Sequence, residues 1–209
     1  GIEAPTQKNW VKISMMLDIE FLYGDESIKQ RVEDEVKSYF AQKGTEFADA
    51  LKSELSQLSS TSRDLINLDV KKKLMRFIQV FIWLMRIKHN ITDTDVLDVL
   101  GELAKRGIIN EGDSVQIAEI YKFGLHLRNE LSEKTGRDIL DDEARQRIRD
   151  QSMIKSTYNN LAKVYEIISR IVNIPNYVTA EAEKIVSSPI VTASSPLLEI
   201  PKPEKGPGG

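Results

Sequence analysis

No cysteine occurs among the 209 residues, which removes disulfide frameworks, thiolate zinc sites and cysteine nucleophiles together and fits a reducing compartment. Charge of one sign is also missing. The net charge of −3 and pI near 5.6 are too balanced for a nucleic-acid footprint or a polybasic membrane patch. Long apolar runs are absent too. The most apolar stretch, Phe77 to Met85, is bracketed by Arg76 and Arg86 and contains Gln79. It falls far short of the roughly 20 residues a membrane span needs. There are two histidines, His89 and His126, which stand apart, and 11 glycines scattered without the clustering a phosphate-cradling loop requires. No signal peptide opens the chain, and it begins at Gly1 without methionine, which predicts a piece of a longer, cytoplasmic protein.

What is present is helical periodicity. Apolar content of 41% suffices for a core, and 29% charged residues suit a solvated surface. Val11, Ile13, Met15, Leu17, Ile19 and Phe21 alternate, which predicts a short N-terminal strand whose sheet lies elsewhere. Beyond Gly24 the period becomes helical: Ile28, Val32, Val36 and Phe40 form one stripe. Gly44 is expected to stop that helix and Thr45 to cap the next, which carries Phe47, Leu51, Leu55 and Leu58. The helix from about Val70 to Lys88 is apolar on nearly every side, the mark of an element at the centre of a bundle. Thr92 or Thr94 is expected to cap a helix that closes at Gly107, and Asn110 to Asp113 reads as a polar turn before a helix ending near Gly136. Asp141 can cap a brief helix to Arg149. The last long helix, Ser152 to Val172, shows a seam of Ile154, Tyr158, Leu161, Tyr165, Ile168 and Val172, which either closes the bundle or pairs with another chain. Six of the seven prolines lie from Pro175 onward, so 174–209 reads as a Pro-rich linker or disordered tail, broken at most by a short helix from Ala180 to Val186. The expected architecture is therefore all-α, a helical bundle over 25–173 around the central helix at about 70–88.

The carboxylates of Asp93, Asp95 and Asp98, and of Asp141, Asp142 and Glu143, sit around helix starts, where the dipole favours negative charge. They read as N-terminal turns rather than metal ligands, and no catalytic residue or resident cofactor is assigned to the chain. His89 reads as a helix C-terminal imidazolium and His126 as a packed or surface residue. Lys71, Lys72 and Lys73, with Arg76, oppose the dipole of the helix they begin, at a cost of about 0.3–1 kcal/mol each. Asp69 is their expected cap; contact with phosphate or an acidic partner would give such placement a function, and a solvated helix end is the alternative.

The segment Leu68-Asp69-Val70-Lys71-Lys72-Lys73-Leu74-Met75-Arg76-Phe77-Ile78-Gln79, continuing to Trp83-Leu84, resembles a stretch of PII uridylyltransferase-type proteins and of nucleotidyltransferases that also carry CBS domains. There an L-D-L-K-like lead meets a G-G-L-R-D-I-Q-like helix start. The resemblance continues through Thr92-Asp93-Thr94-Asp95 with Leu97, through Leu103-Ala104-Lys105-Arg106-Gly107-Ile108-Ile109, and through the helix from Ala118 to Arg128, similar to a Y-x-F-L-x-x-L-R pattern. Upstream, Leu17 to Asp25 resembles the L-D-x-R-x-V-x-G-D passage that joins the nucleotidyltransferase core to its helical partner. The pieces span about 17–172 in the family's order. Lys73-Leu74 replaces the glycine pair, Phe77 replaces the aspartate, and Glu20 stands where arginine is usual.

The resemblance implies a helical substrate- or regulator-binding domain, with 1–24 the remnant or linker of an upstream nucleotidyltransferase domain. The catalytic Gly-Ser and Asp-x-Asp, with Mg and a nucleotide, belong to that domain. Asp93-Thr94-Asp95 has the carboxylate spacing but lacks the preceding Gly-Ser. The implied partners are that upstream domain and a regulatory protein of a signalling pathway. The implied contact residues are Lys71, Lys72, Lys73, Arg76 and Arg128. The alternative is a stand-alone interaction module that pairs through the 154–172 seam.

Overall fold

The computed structural model describes residues 25–60, 65–148 and 150–188. The strand expected over Val11–Phe21, the linker 1–24 and the last part of the tail lie outside these residues. In chain order the elements are α1 (Glu26–Ser60), β1 (Leu68–Asp69), a π-helical turn (Lys71–Met75) that runs directly into α2 (Arg76–His89), α3 (Val96–Lys105), α4 (Glu111–Thr135), β2 (Ile139–Leu140), α5 (Asp142–Arg147), α6 (Gln151–Val172) and α7 (Val178–Val186). The two short strands pair antiparallel, Leu68 opposite Leu140 and Asp69 opposite Ile139. The fold is an all-α bundle.

α2 lies at its centre, against α1, α3 and α6. Phe77, Ile78, Val80, Phe81 and Ile82 are wholly buried, and Trp83 and Ile87 pack at the margin. Each fully buried large apolar side chain contributes about 1.5–3 kcal/mol, so this all-round burial fixes the position of the helix. α4 packs on α3, on α6 and on the π-helical turn.

The expected break at Gly44 does not occur: α1 runs unbroken for 35 residues. A Cβ added at Gly44 would meet Ile87 Cγ2 of α2 at an ordinary 3.5 Å. Burying Phe47, Leu51 and Leu55 against the bundle outweighs the roughly 1 kcal/mol a helical glycine costs. Glu54 of α1 meets Arg76 at the start of α2, and Gly44 meets Ile87 near its end, so the earlier turns of α1 run past α2. Ile28 and Val32, expected on the buried stripe, are accordingly exposed.

Local caps set the other helix starts. Asp95, not Thr92 or Thr94, caps α3, its carboxylate accepting from the Leu97 and Asp98 N–H groups at 2.7 and 3.3 Å. Arg106 ends α3, and Gly107 at φ +68° turns the chain, where a side chain would be strained. Asn110 accepts from Asp113 N–H at 2.7 Å, so the polar stretch 110–113 is the first turn of α4 rather than a turn before it. Asp141 and Asp150 cap α5 and α6 in the same way.

All six seam residues of α6 are buried within the chain, so the seam closes this bundle. The chain does not leave the fold at Pro175. The Ser59 hydroxyl donates to Pro175 O at 2.7 Å, Tyr177 N–H donates to Ser59 O at 3.1 Å, and α7 packs on α6 with Val178 and Ala182 fully buried. The reason lies in spacing: Val178, Ala182 and Ile185 make a short apolar face in the proline-free stretch between Pro175 and Pro189. The packed unit therefore extends to about residue 186 rather than 173.

Candidate functional site

The lysine run lies on the π-helical turn, and its surroundings are built from distant parts of the chain. Asp69 accepts from Lys72 N–H at 2.9 Å and faces Lys72 Nζ at 3.2 Å, which makes it the expected cap. Val70 N–H donates to Asp138 O at 2.9 Å, tying the turn to the chain that leads into β2. Arg76 N–H reaches back five residues to Lys71 O, one further than an α-helix would. The Tyr165 hydroxyl of α6 donates to the Lys73 carbonyl of this turn at 2.8 Å. Tyr165 is fully buried and stacked on Phe77, ring centroids 3.7 Å apart and planes 2° from parallel. Burial pushes its phenol far up, so it stays a protonated donor.

The turn also rests on α4. A Cβ at Gly124 would lie 2.5 Å from Met75 Sδ and 3.1 Å from Leu74 Cδ2, so any larger residue there would force these side chains to shift. The turn is thus held by Asp138 O and Asp69 at its start, by Tyr165 of α6 and by the close approach of α4 at Gly124.

This arrangement divides the five cations expected at the site. Lys71 and Lys72 project into solvent, while Lys73 is half-buried and lends its carbonyl to Tyr165. Arg76 crosses to Glu54 of α1 at 2.9 Å, where the carboxylate side chain is only 13% exposed and needs a counter-charge. Arg128 turns to Asp138, with Nε 3.2 Å from Oδ1 and Nη2 3.3 Å from Oδ2. The structure therefore brings Lys71 and Lys72 to one exposed corner and commits Arg76 and Arg128 to ion pairs elsewhere.

Of the six carboxylates at the two helix starts, Asp93 and Asp98 are exposed and the other four are likewise committed. Asp95 is the α3 cap. Asp141 caps α5 and lies 3.1 Å from Arg137, Asp142 lies 2.7 Å from Arg145, and Glu143 sits between Arg137 at 2.8 Å and Arg147 at 2.6 Å. Among the described residues, no three histidine or acidic side chains gather as a cation cage.

His89 departs from expectation. Burial, then the Lys88 and Arg106 cations, lower its pKa, so the neutral ring is favoured over the imidazolium. The helix end is instead closed by Asn90 at φ +49° and by Arg106, which donates to His89 O at 2.9 Å. His126 is exposed on α4.

Two features have no signature in the sequence pattern. Arg145 is buried, donating to Tyr158 Oη at 2.7 Å and to Ile66 O, while the Tyr158 hydroxyl donates to Leu65 O at 2.9 Å. Burial raises the Tyr158 pKa, against the opposing pull of the Arg145 guanidinium. This cluster pins the chain before β1 to α5 and α6. The second is an open cleft between α4 and α6, lined by Gln116, Glu119, Ile120, Phe123, Asn160 and Lys163. Compared with protein-family models, characterised proteins and solved structures, the chain finds no match in any of the three.

Proposed function

We propose that this chain is the non-catalytic helical substrate- or regulator-binding domain of a nucleotidyltransferase of the PII uridylyltransferase-like type. Mg and the nucleotide undergoing transfer belong to the nucleotidyltransferase domain expected upstream, in the cytoplasm. The observation that carries this reading is the lysine corner. Lys71 and Lys72 are exposed on a turn fixed from several sides, within the segment where the ordered family resemblance is densest. A cationic corner on a fixed backbone suits a phosphate or an acidic partner surface, because the backbone needs no further ordering on binding. Arg76 and Arg128, held by Glu54 and Asp138, act in this reading as structural ion pairs. Among the described residues no helix is long and apolar enough to cross a membrane.

The test has two arms. The coding sequence upstream of Gly1 should contain a Gly-Ser followed by Asp-x-Asp within about one domain's length, roughly 100–200 residues. With that domain present, Lys71→Glu with Lys72→Glu should weaken nucleotide transfer to the acceptor while the chain stays folded, as a circular-dichroism melt checks. An upstream frame without the motif, or a double reversal without effect on transfer, would sink the proposal. Pairing of two copies through the 154–172 seam, the alternative, finds all six seam residues already buried within one chain.

A further inference from the structure

The first turns of α1 reach past α2, and they carry an apolar row. Ile28, Val32, Val36 and Tyr39 follow at steps of four, four and three, which puts them on one helix face. Ile28 is 53% exposed and Val32 36%. At the inner end of the row the Tyr39 hydroxyl is shut off from water and finds no hydrogen-bond partner among the described residues. A short stretch of helix standing off a bundle is marginal on its own, because helical stability comes mostly from packing an apolar face. The row needs a cover.

The start of α1 indicates where the cover comes from. The Asp25 carboxylate accepts from Ser27 N–H at 2.7 Å, and its carbonyl accepts from Ile28 N–H at 3.0 Å, so α1 begins afresh at this residue. Gly24, immediately before it, is the residue type that most readily turns a chain away. Equal steps outward from the junction of Gly24 and Asp25 bring Phe21 level with Ile28, Leu17 with Val32, Ile13 with Val36 and Trp10 with Tyr39. The preceding segment therefore repeats the spacing of the row in reverse, as two antiparallel helices sharing one seam require. Asp18 and Glu20 come level with Arg31 and Lys29, which places opposite charges beside that seam. Trp10 brings an indole N–H donor to the level of the Tyr39 hydroxyl.

We propose that residues 10–23, which lie outside the described residues, fold back as a helix and cover the apolar row of α1. The alternation that predicts a strand over Val11–Phe21 is outweighed by backbone chemistry. A single strand laid on a helix leaves its own N–H and C=O groups unpaired, whereas a helix satisfies them internally. A second copy of the chain competes with a segment tethered beside the row, whose effective concentration is on the order of millimolar. Residues 10–23 are then part of the bundle rather than a linker. The inference stands whether or not the accessory-domain reading does.

The chain has no cysteine, so a single pair can be introduced for crosslinking. In Leu17→Cys with Val32→Cys, a short bismaleimide should bridge the two thiols within one chain. The control pair is Met15→Cys with Val32→Cys, since residue 15 falls on the opposite face of a helix over 10–23. The first pair should be bridged about tenfold faster, whereas a segment without a fixed place on α1 gives equal rates. Independently, Leu17→Asp should quicken amide hydrogen exchange over 28–39 by about tenfold and leave the middle of α2 unchanged. A circular-dichroism melt checks that this variant folds. Equal bridging rates in the two pairs, or bridges that join two chains, overturn the proposal. Exchange over 28–39 that Leu17→Asp leaves unaltered overturns it as well.

Discussion

The central helix and the helices around it begin in different ways. α3, α4, α5 and α6 each start at an aspartate or asparagine whose side chain accepts a backbone N–H two or three residues on. These starts are local and would be recognisable in an isolated peptide. α2 has no such cap at its first α-helical turn, where Met75 stands. It grows out of a π-helical turn that Asp69 caps locally and that Asp138 O, Gly124 and Tyr165, which lies 92 residues from the carbonyl it bonds, support from distant parts of the chain. The starts of the peripheral helices are capped by neighbours in sequence, and the start of the central one draws on neighbours in space as well. Cutting a local cap should therefore cost one helix end, whereas disturbing the π-helical turn should reach through the core.

That contrast can be broken or sharpened by substitution. The largest expected effect is at Gly124. Gly124→Val places atoms where Met75 Sδ and Leu74 now sit and should destabilise the fold by about 2–3 kcal/mol in urea denaturation. Next is Tyr165→Phe, which keeps the stack on Phe77 but removes the hydroxyl that donates to the Lys73 carbonyl, at about 1–2 kcal/mol. Asp95→Ala removes a local cap and should cost about 1 kcal/mol, with hydrogen exchange quickened mainly in the first turn of α3. The smallest effect has the opposite sign. Gly44→Ala, in α1 with room for its methyl group, should raise stability by about 0.5–1 kcal/mol.

What could be read from sequence follows the same division. The all-round apolar pattern of Phe77 to Met85 identified the centre of the bundle, because burial on every side leaves no polar face. Asp69, Asp141, Gly107 and Gly136 were legible because capping depends on a few adjacent residues. Gly44 misled because glycine's local cost was outbid by the packing of Phe47 and Leu51. α7 was nearly lost among the prolines, since its three apolar positions acquire meaning only against α6. At the candidate site the sequence groups Lys71, Lys72, Lys73, Arg76 and Arg128 as contact residues; Lys71 and Lys72 are exposed, but nothing near Arg76 in sequence points to Glu54, and nothing near Arg128 points to its place beside Asp138. The π-helical turn itself was invisible, because neither Tyr165 nor Gly124 announces which backbone it will meet.

The claim that the start of the central helix is held by tertiary contacts is tested most directly by amide hydrogen exchange at Arg76, whose N–H closes the π-helical turn onto Lys71 O. In Tyr165→Phe this amide should exchange markedly faster than in the parent protein, while amides in the middle of α3 and α4 change only as far as the global stability loss requires. Unchanged protection at Arg76, or a loss no greater there than across the whole bundle, would contradict the account.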